Sequence, residues 1–323
     1  MNRKILPYVN YLLDNEPSPF CDYIICKELL EPDEKAIQES YDWAVRFKLY
    51  SELRDEQMPD GSWGGFEDMI EEQAKKKHFK TTARAMSRML DLALDISDPM
   101  VLAVVELCRK YVSGEKDFPN VWGKNNWGKR IGTRHCAARN LSYFDPENEH
   151  VAKLRGLYAE RLEAVCKSGC FNENSWDQTD YHKHGVFGGC FAYDKLYMLF
   201  YGNCISEEIE RIWLEHEWYE NRLWYNGNLP SEIKTPGDKS FIFWLTRLEY
   251  LKYFSLFGQF MAAQVAPNLY NLCERLANPA CEMDIKTNNY FYHQGQYSEA
   301  PRNRQHKKHD LLLRIIRLLD KCE

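Results

Sequence analysis

Apolar residues recur at spacings of three and four through AIQESYDWAVRFKLYSEL (36–53), TTARAMSRMLDLALDI (81–96), PMVLAVVELCRKYV (99–112), HVAKLRGLYAERLEAVCK (150–167), SEEIERIWLEHEWYENRLW (206–224) and DLLLRIIRLLDKC (310–322). That is the period of an amphipathic helix, and runs of strict alternation between turn pairs are nearly absent. The pattern predicts an all-α protein. Helix starts are marked by Ser97-Asp98-Pro99, Asp145-Pro146-Glu147 and Ser206-Glu207-Glu208, where a capping side chain precedes proline or acid.

The helices fall into two kinds. TTARAMSRMLDLAL, HCAARNLSYF, GGCFAYDKLYMLF and FIFWLTRLEYLKYF are apolar around most of their circumference, as a helix buried on all sides must be, whereas the others carry a charged stripe. Lys80, Thr133, Val186 and Lys239 stand at or near the start of each inner-type helix, 53 residues apart. Each follows a loop rich in Gly, Trp, Asn and Asp: PDGSWGGFED, FPNVWGKNNWGKRIG, FNENSWDQTDYHKHG and WYNGNLPSEIKTPGD. A looser fifth copy, NNYFYHQGQYSEAPRNRQHKKH, precedes Asp310.

A period of this length is the mark of helical hairpins that bury their faces by stacking on neighbours. Five or six such hairpins, each with an inner and an outer helix, predict a closed α/α toroid, with an open solenoid as the alternative. No linker rich in Pro, Gly or Ser interrupts the chain. The expectation is one domain over 1–323, with an N-terminal helical cap over 1–40 and repeats of about 53 residues over 41–323.

Composition narrows the function classes. Apolar residues make up 44% and aromatics 14% of 323 residues, which supports a sizeable core. A net charge of -6, spread along the chain, leaves no domain-wide basic face, so nucleic acid is not an expected partner. No uninterrupted apolar run reaches spanning length and no cleavable leader is visible, so a cytoplasmic protein without a transmembrane segment is expected. The eleven scattered cysteines read as free thiols of a reducing compartment.

QMPDGSWGGF, with Gln57, Asp60-Gly61-Ser62 and Trp63-Gly64, closely resembles the glutamine-tryptophan repeat motif of the squalene cyclase and protein prenyltransferase superfamily. Lys80 through Leu90 looks like the inner helix that follows the motif there. VWGKNNWG and NSWDQTD are weaker copies. The resemblance implies a terpenoid-cyclase-like toroid whose inner helices line an apolar central cavity, with chemistry at their N-terminal ends. Two departures stand out. The Asp-x-Asp-Asp string of the protonating cyclases does not occur, the nearest being Asp177-Gln178-Thr179-Asp180. The Asp-x-Cys pair that holds zinc in prenyltransferases has a counterpart for its cysteine, Cys190, but none for its aspartate.

The densest chemical stretch is DQTDYHKHG, where Asp177, Asp180, His182 and His184 offer acid/base groups whose charges shift one another's pKa. A solvated capping loop is an equal alternative. Arg134 and His135 could hold an anionic group at a helix start, or simply pair with acidic neighbours across the ring. Lys80 and Lys239 share a repeat position, and Arg304, His306, His309 and Asp310 fall near the last one. If the ring closes, these groups converge at one mouth. Tyr193 and Trp244 belong to an aromatic set that could face a carbocation or a sugar, or simply fill the core.

The expected catalytic residues are thus Asp177, Asp180, His182, His184, His309 and Asp310. Lys80, Arg134, His135, Tyr193, Lys239, Trp244 and Arg304 are the expected substrate-binding residues. No cofactor is firmly implied. Zinc is the one metal to consider, with Cys190, His184 and His309 as its weak ligand candidates. The leading expectation is a terpenoid-cyclase or prenyltransferase-like enzyme acting on an isoprenoid or similar apolar molecule. The alternatives are a carbohydrate-active lyase or hydrolase on the same ring, and a non-catalytic binding toroid.

Overall fold

In the computed structural model the described residues are 2–30, 32–67, 79–119, 127–172, 204–221, 229–286, 296–298 and 303–322, with 127–132 described by backbone alone. Among them all regular structure is helical and no strand occurs. No helix among them is long and apolar enough to cross a membrane.

The helices are α1 (Leu6–Asp14), α2 (Pro19–Ile24) running into a π-turn (Ile25–Leu29), α3 (Glu34–Ala44), α4 (Lys48–Glu56), α5 (Thr82–Asp91), α6 (Pro99–Ser113), α7 (Trp127–Phe144) and α8 (Glu149–Cys166). They continue with α9 (Glu207–Tyr219), α10 (Phe241–Leu251), α11 (Phe257–Phe260) with a second π-turn (Met261–Val265), α12 (Ala266–Leu276) and α13 (Arg304–Leu319). The chain folds as two compact units: residues 1–52, 91–93 and 217–323 form the first, and 53–90 with 94–216 the second.

Several expected boundaries move, each for a local reason. The run 36–53 is two helices: after Ala44 the hydrogen bonds from Arg46 N to Trp43 O and from Phe47 N to Ala44 O tighten the last turn, and α4 starts afresh at Lys48. The run 81–96 stops at Asp91 because Ala93 adopts a left-handed φ of 56°. Two donors hold that conformation, Tyr23 Oη at 3.2 Å and Lys27 Nζ at 2.7 Å from the Ala93 carbonyl.

Asp98 caps α6 as its sequence predicts, accepting from Met100 N at 2.7 Å, with Pro99 at the first helical position. Asp145 does not cap α8. It pairs with Arg109 at 2.7 Å, and Asn148 takes the cap by accepting from His150 N and Val151 N. Thr133 lies inside α7, which starts at Trp127, so the second inner-type helix begins earlier than the 53-residue spacing places it.

In the second unit α6 packs on α7 and α8, joining Val104 and Cys108 with Ala137, Leu141, Tyr158 and Leu162, all fully buried. Small side chains at Cys136, Ala137 and Ala138 let the helices approach closely. The first unit is organised around α13, which packs on α1, α12 and the π-turn at Ile25–Leu29. Every residue from Lys308 to Ile316 is buried, so this helix is enclosed on nearly all sides.

Candidate functional site

The glutamine-tryptophan corner forms as a compact device at the N-terminal side of α6. Gln57 Nε2 donates to Met100 O at 2.9 Å and to Gly61 O at 3.2 Å, joining the corner to the first turn of α6. Trp63 is buried and donates its indole N–H to Leu53 O at 2.9 Å, while its backbone N–H reaches Thr82 Oγ1 at 3.1 Å. Gly61 has φ +86° and sits so close to α6 that a β-carbon would stand 2.6 Å from Ala103 O.

Asp60 closes the turn by accepting from Ser62 N and Ser62 Oγ, and it pairs with Lys116 at 3.0 Å. Burial alone would raise its pKa, but these hydrogen bonds and the ammonium charge outweigh it and hold the carboxyl below its usual range. It is an ionised turn residue rather than an acid.

Of the expected binding residues in the second unit, Lys80 and Arg134 are exposed and His135 is buried. His135 Nδ1 lies 3.0 Å from Tyr158 Oη with the rings edge to face, which turns the imidazole into the packing between α7 and α8. Arg134 and His135 are neighbours in sequence yet point to different surroundings.

In the first unit the side chains of α13 form a polar spine. His309 is buried, with Nε2 2.7 Å from Gln305 Nε2 and its ring edge-on to Tyr11. Burial, with smaller contributions from the charges of His306 and Lys308, lowers its pKa to about 4, so it is neutral at physiological pH. Asp310 accepts from Ser298 Oγ at 2.8 Å, and its charge adds to burial in pushing the Cys21 thiol up.

One turn on, Arg314 donates to Glu249 from Nε at 2.7 Å and to Thr246 Oγ1 at 3.2 Å. Arg317 forks onto Glu28 with two bonds of 2.7 Å, and also reaches Asp91 O at 2.9 Å and Tyr297 Oη at 3.1 Å. Burial would raise the Glu28 pKa, yet the Arg317 charge, Lys252 and Lys27 together lower it. Burial and the Asp91 charge push the Tyr297 phenol well up, and burial with the Arg317 charge pushes the Lys252 ammonium down.

Arg314, Arg317 and Lys252 are matched by Glu28, Asp91 and Glu249. A matched set holds little surplus charge for an ionic ligand, and such geometry fixes packing. The sequence reading missed this network. Its signal was present in LLLRIIRLL, where arginines recur three residues apart inside an otherwise apolar helix and so need buried acids.

The other expected residues of this unit are placed as follows. Trp244 is fully buried, its indole bonded to Pro230 O at 3.1 Å. Lys239 is exposed, and Arg304 makes a solvent-exposed pair with Glu282 at 3.2 Å. Asp177, Asp180, His182, His184, Cys190 and Tyr193 lie outside the described residues. Among the described residues no three His, Cys, Asp or Glu side chains come together as a metal site. His309, the described member of the zinc set, faces an amide and a phenol rather than a second ligand. No family model, characterised protein or solved structure matches this chain.

Proposed function

We propose that the chain is a terpenoid-cyclase or prenyltransferase-like enzyme on an α/α toroid, acting on an isoprenoid or similar apolar substrate. The observation that supports this reading is the Gln57–Trp63 corner. Its glutamine reaches from the end of α4 to the first turn of α6, and its tryptophan is buried with its indole bonded to Leu53 O of α4. A device of this kind links successive hairpins, which is what a ring of repeats requires. Asp177, Asp180, His182 and His184 supply the acid/base chemistry, and Arg134, exposed on α7, orients an anionic group.

A second reading, a binding toroid without catalysis, draws support from a separate observation. His135, Trp244, His309 and Asp310 are buried and bonded within the protein. The test is to incubate the protein with farnesyl diphosphate, geranylgeranyl diphosphate and squalene, with and without zinc, and to analyse extracts by mass spectrometry. A product that disappears in Asp177→Asn and His184→Ala is expected. Saturable binding of these probes without product would favour the second reading, and neither binding nor product would sink both.

A further inference from the structure

Residues of α1, α2, the first π-turn and α3 line an open surface pocket of about 380 Å³, at the small end of ligand-sized pockets. Leu13 and Leu30 supply apolar wall, Asp22 and Glu39 line it from α2 and α3, and Trp43 and Cys26 are also part of the lining. The helical spacing explains the convergence. Asp22 and Cys26 are four residues apart on one strip of the chain, as Glu39 and Trp43 are on another.

Three observations set the chemistry. The Asp22 carboxylate is half-buried, and among the described residues it makes no hydrogen bond or ion pair; burial alone raises its pKa, with no cation acting against it. Among the described residues Glu39 pairs with Lys35 alone, at 3.6 Å, and both are well exposed, so that pair neutralises it weakly. Lys27, next to Cys26 in the chain, is engaged with Tyr23 Oη and Ala93 O. Trp43, which shares the pocket lining with both carboxylates, leaves 51% of its surface in water.

We propose that this cavity binds a small free organic ammonium ion, its head against Asp22 and Glu39 and its apolar part against Leu13, Leu30 and the Trp43 indole. The carboxylates offer charge-assisted hydrogen bonds and the ring face attracts a cation. The site is separate from the proposed isoprenoid chemistry and stands or falls without it.

Cys26 gives the test a reporter inside the cavity. The full chain is alkylated with iodoacetamide, and modification of Cys26 is followed by peptide mass spectrometry, with exposed Cys170 as internal control. Saturating benzylammonium or hexylammonium is expected to slow alkylation of Cys26 about tenfold while leaving Cys170 unchanged, and hexanoate is expected to have no effect. Asp22→Asn should weaken that protection about tenfold, and Trp43→Ala about threefold. Asp22 caps nothing with its side chain, so the asparagine variant keeps the fold, and Glu39→Gln on the exposed face of α3 gives a second variant. Equal protection by hexanoate, or protection unchanged in both carboxylate variants, would overturn the proposal. Protection by phosphatidylcholine vesicles but not by the free cations would overturn it in favour of a lipid headgroup.

Discussion

Gly61→Ala isolates how tightly the glutamine-tryptophan corner is pressed onto α6. Two costs add. At φ +86° an L-residue gives up about 1 kcal/mol or a little more relative to glycine. A β-carbon 2.6 Å from Ala103 O and 2.9 Å from Ala103 C meets helix backbone rather than a side chain that could swing away, which costs a further 1–3 kcal/mol, roughly the range for overpacking. The expected destabilisation is about 2–4 kcal/mol.

Two sister substitutions separate the terms. Gly169→Ala has the same left-handed backbone, φ +82°, with nothing within 4 Å, and should cost only about 1 kcal/mol. Gly156→Ala, inside α8 with nothing within 4 Å, should stabilise by about 0.5–1 kcal/mol, because alanine loses less backbone freedom in a helix. Urea unfolding followed by circular dichroism reads all three, provided the slopes agree. If Gly61→Ala costs no more than Gly169→Ala, the corner is not wedged against Ala103 and its role in joining helices is wrong.

Two further predictions follow from the same geometry. Gln57→Leu removes the bond to Met100 O while keeping the side chain's bulk, and should cost about 1–2 kcal/mol in the same assay, with faster hydrogen exchange through the corner. His309 titrates near pH 4 when folded and near 6.5 when unfolded, so the unfolded chain takes up its proton first on acidification. Its contribution is complete above pH 6.5 and is lost between there and about pH 4, up to about 3 kcal/mol, and His309→Gln should flatten that part of the stability–pH curve.

What the sequence carried was local chemistry. Asp98 before Pro99, Ser206 before a run of acids and the three-and-four spacing of α6 and α8 each act within one turn, and the structure honours them. Where a distant group decides, the reading slipped. The left-handed Ala93 that ends the run after Asp91 is held by Tyr23 and Lys27, some seventy residues earlier. Asp145 looked like a cap, but Arg109 claims its carboxylate from α6.

The same distinction governs the site. His135 and His309 were chosen for their chemistry, and their surroundings, Tyr158 for one and Gln305 with Tyr11 for the other, depend on which helices meet them. The cavity beside Trp43 was equally invisible, because it depends on the packing of α2 and α3 and not on any motif.

Arg317 joins α13 to Glu28 and Asp91, partners 289 and 226 residues away along the chain. During synthesis the first fifty residues therefore leave the ribosome long before the central helix that α1 and the π-turn pack around exists, while the last residue of the second unit is 216. The second unit can fold as it emerges. In the first unit the contacts of α1 and the π-turn with α13, and the pairing of its arginines with their acids, need the last twenty residues of the chain. A chain stopped short of residue 304 would keep the packing of α2 on α3 and the π-turn but lose the central helix on which α1 and that turn rest.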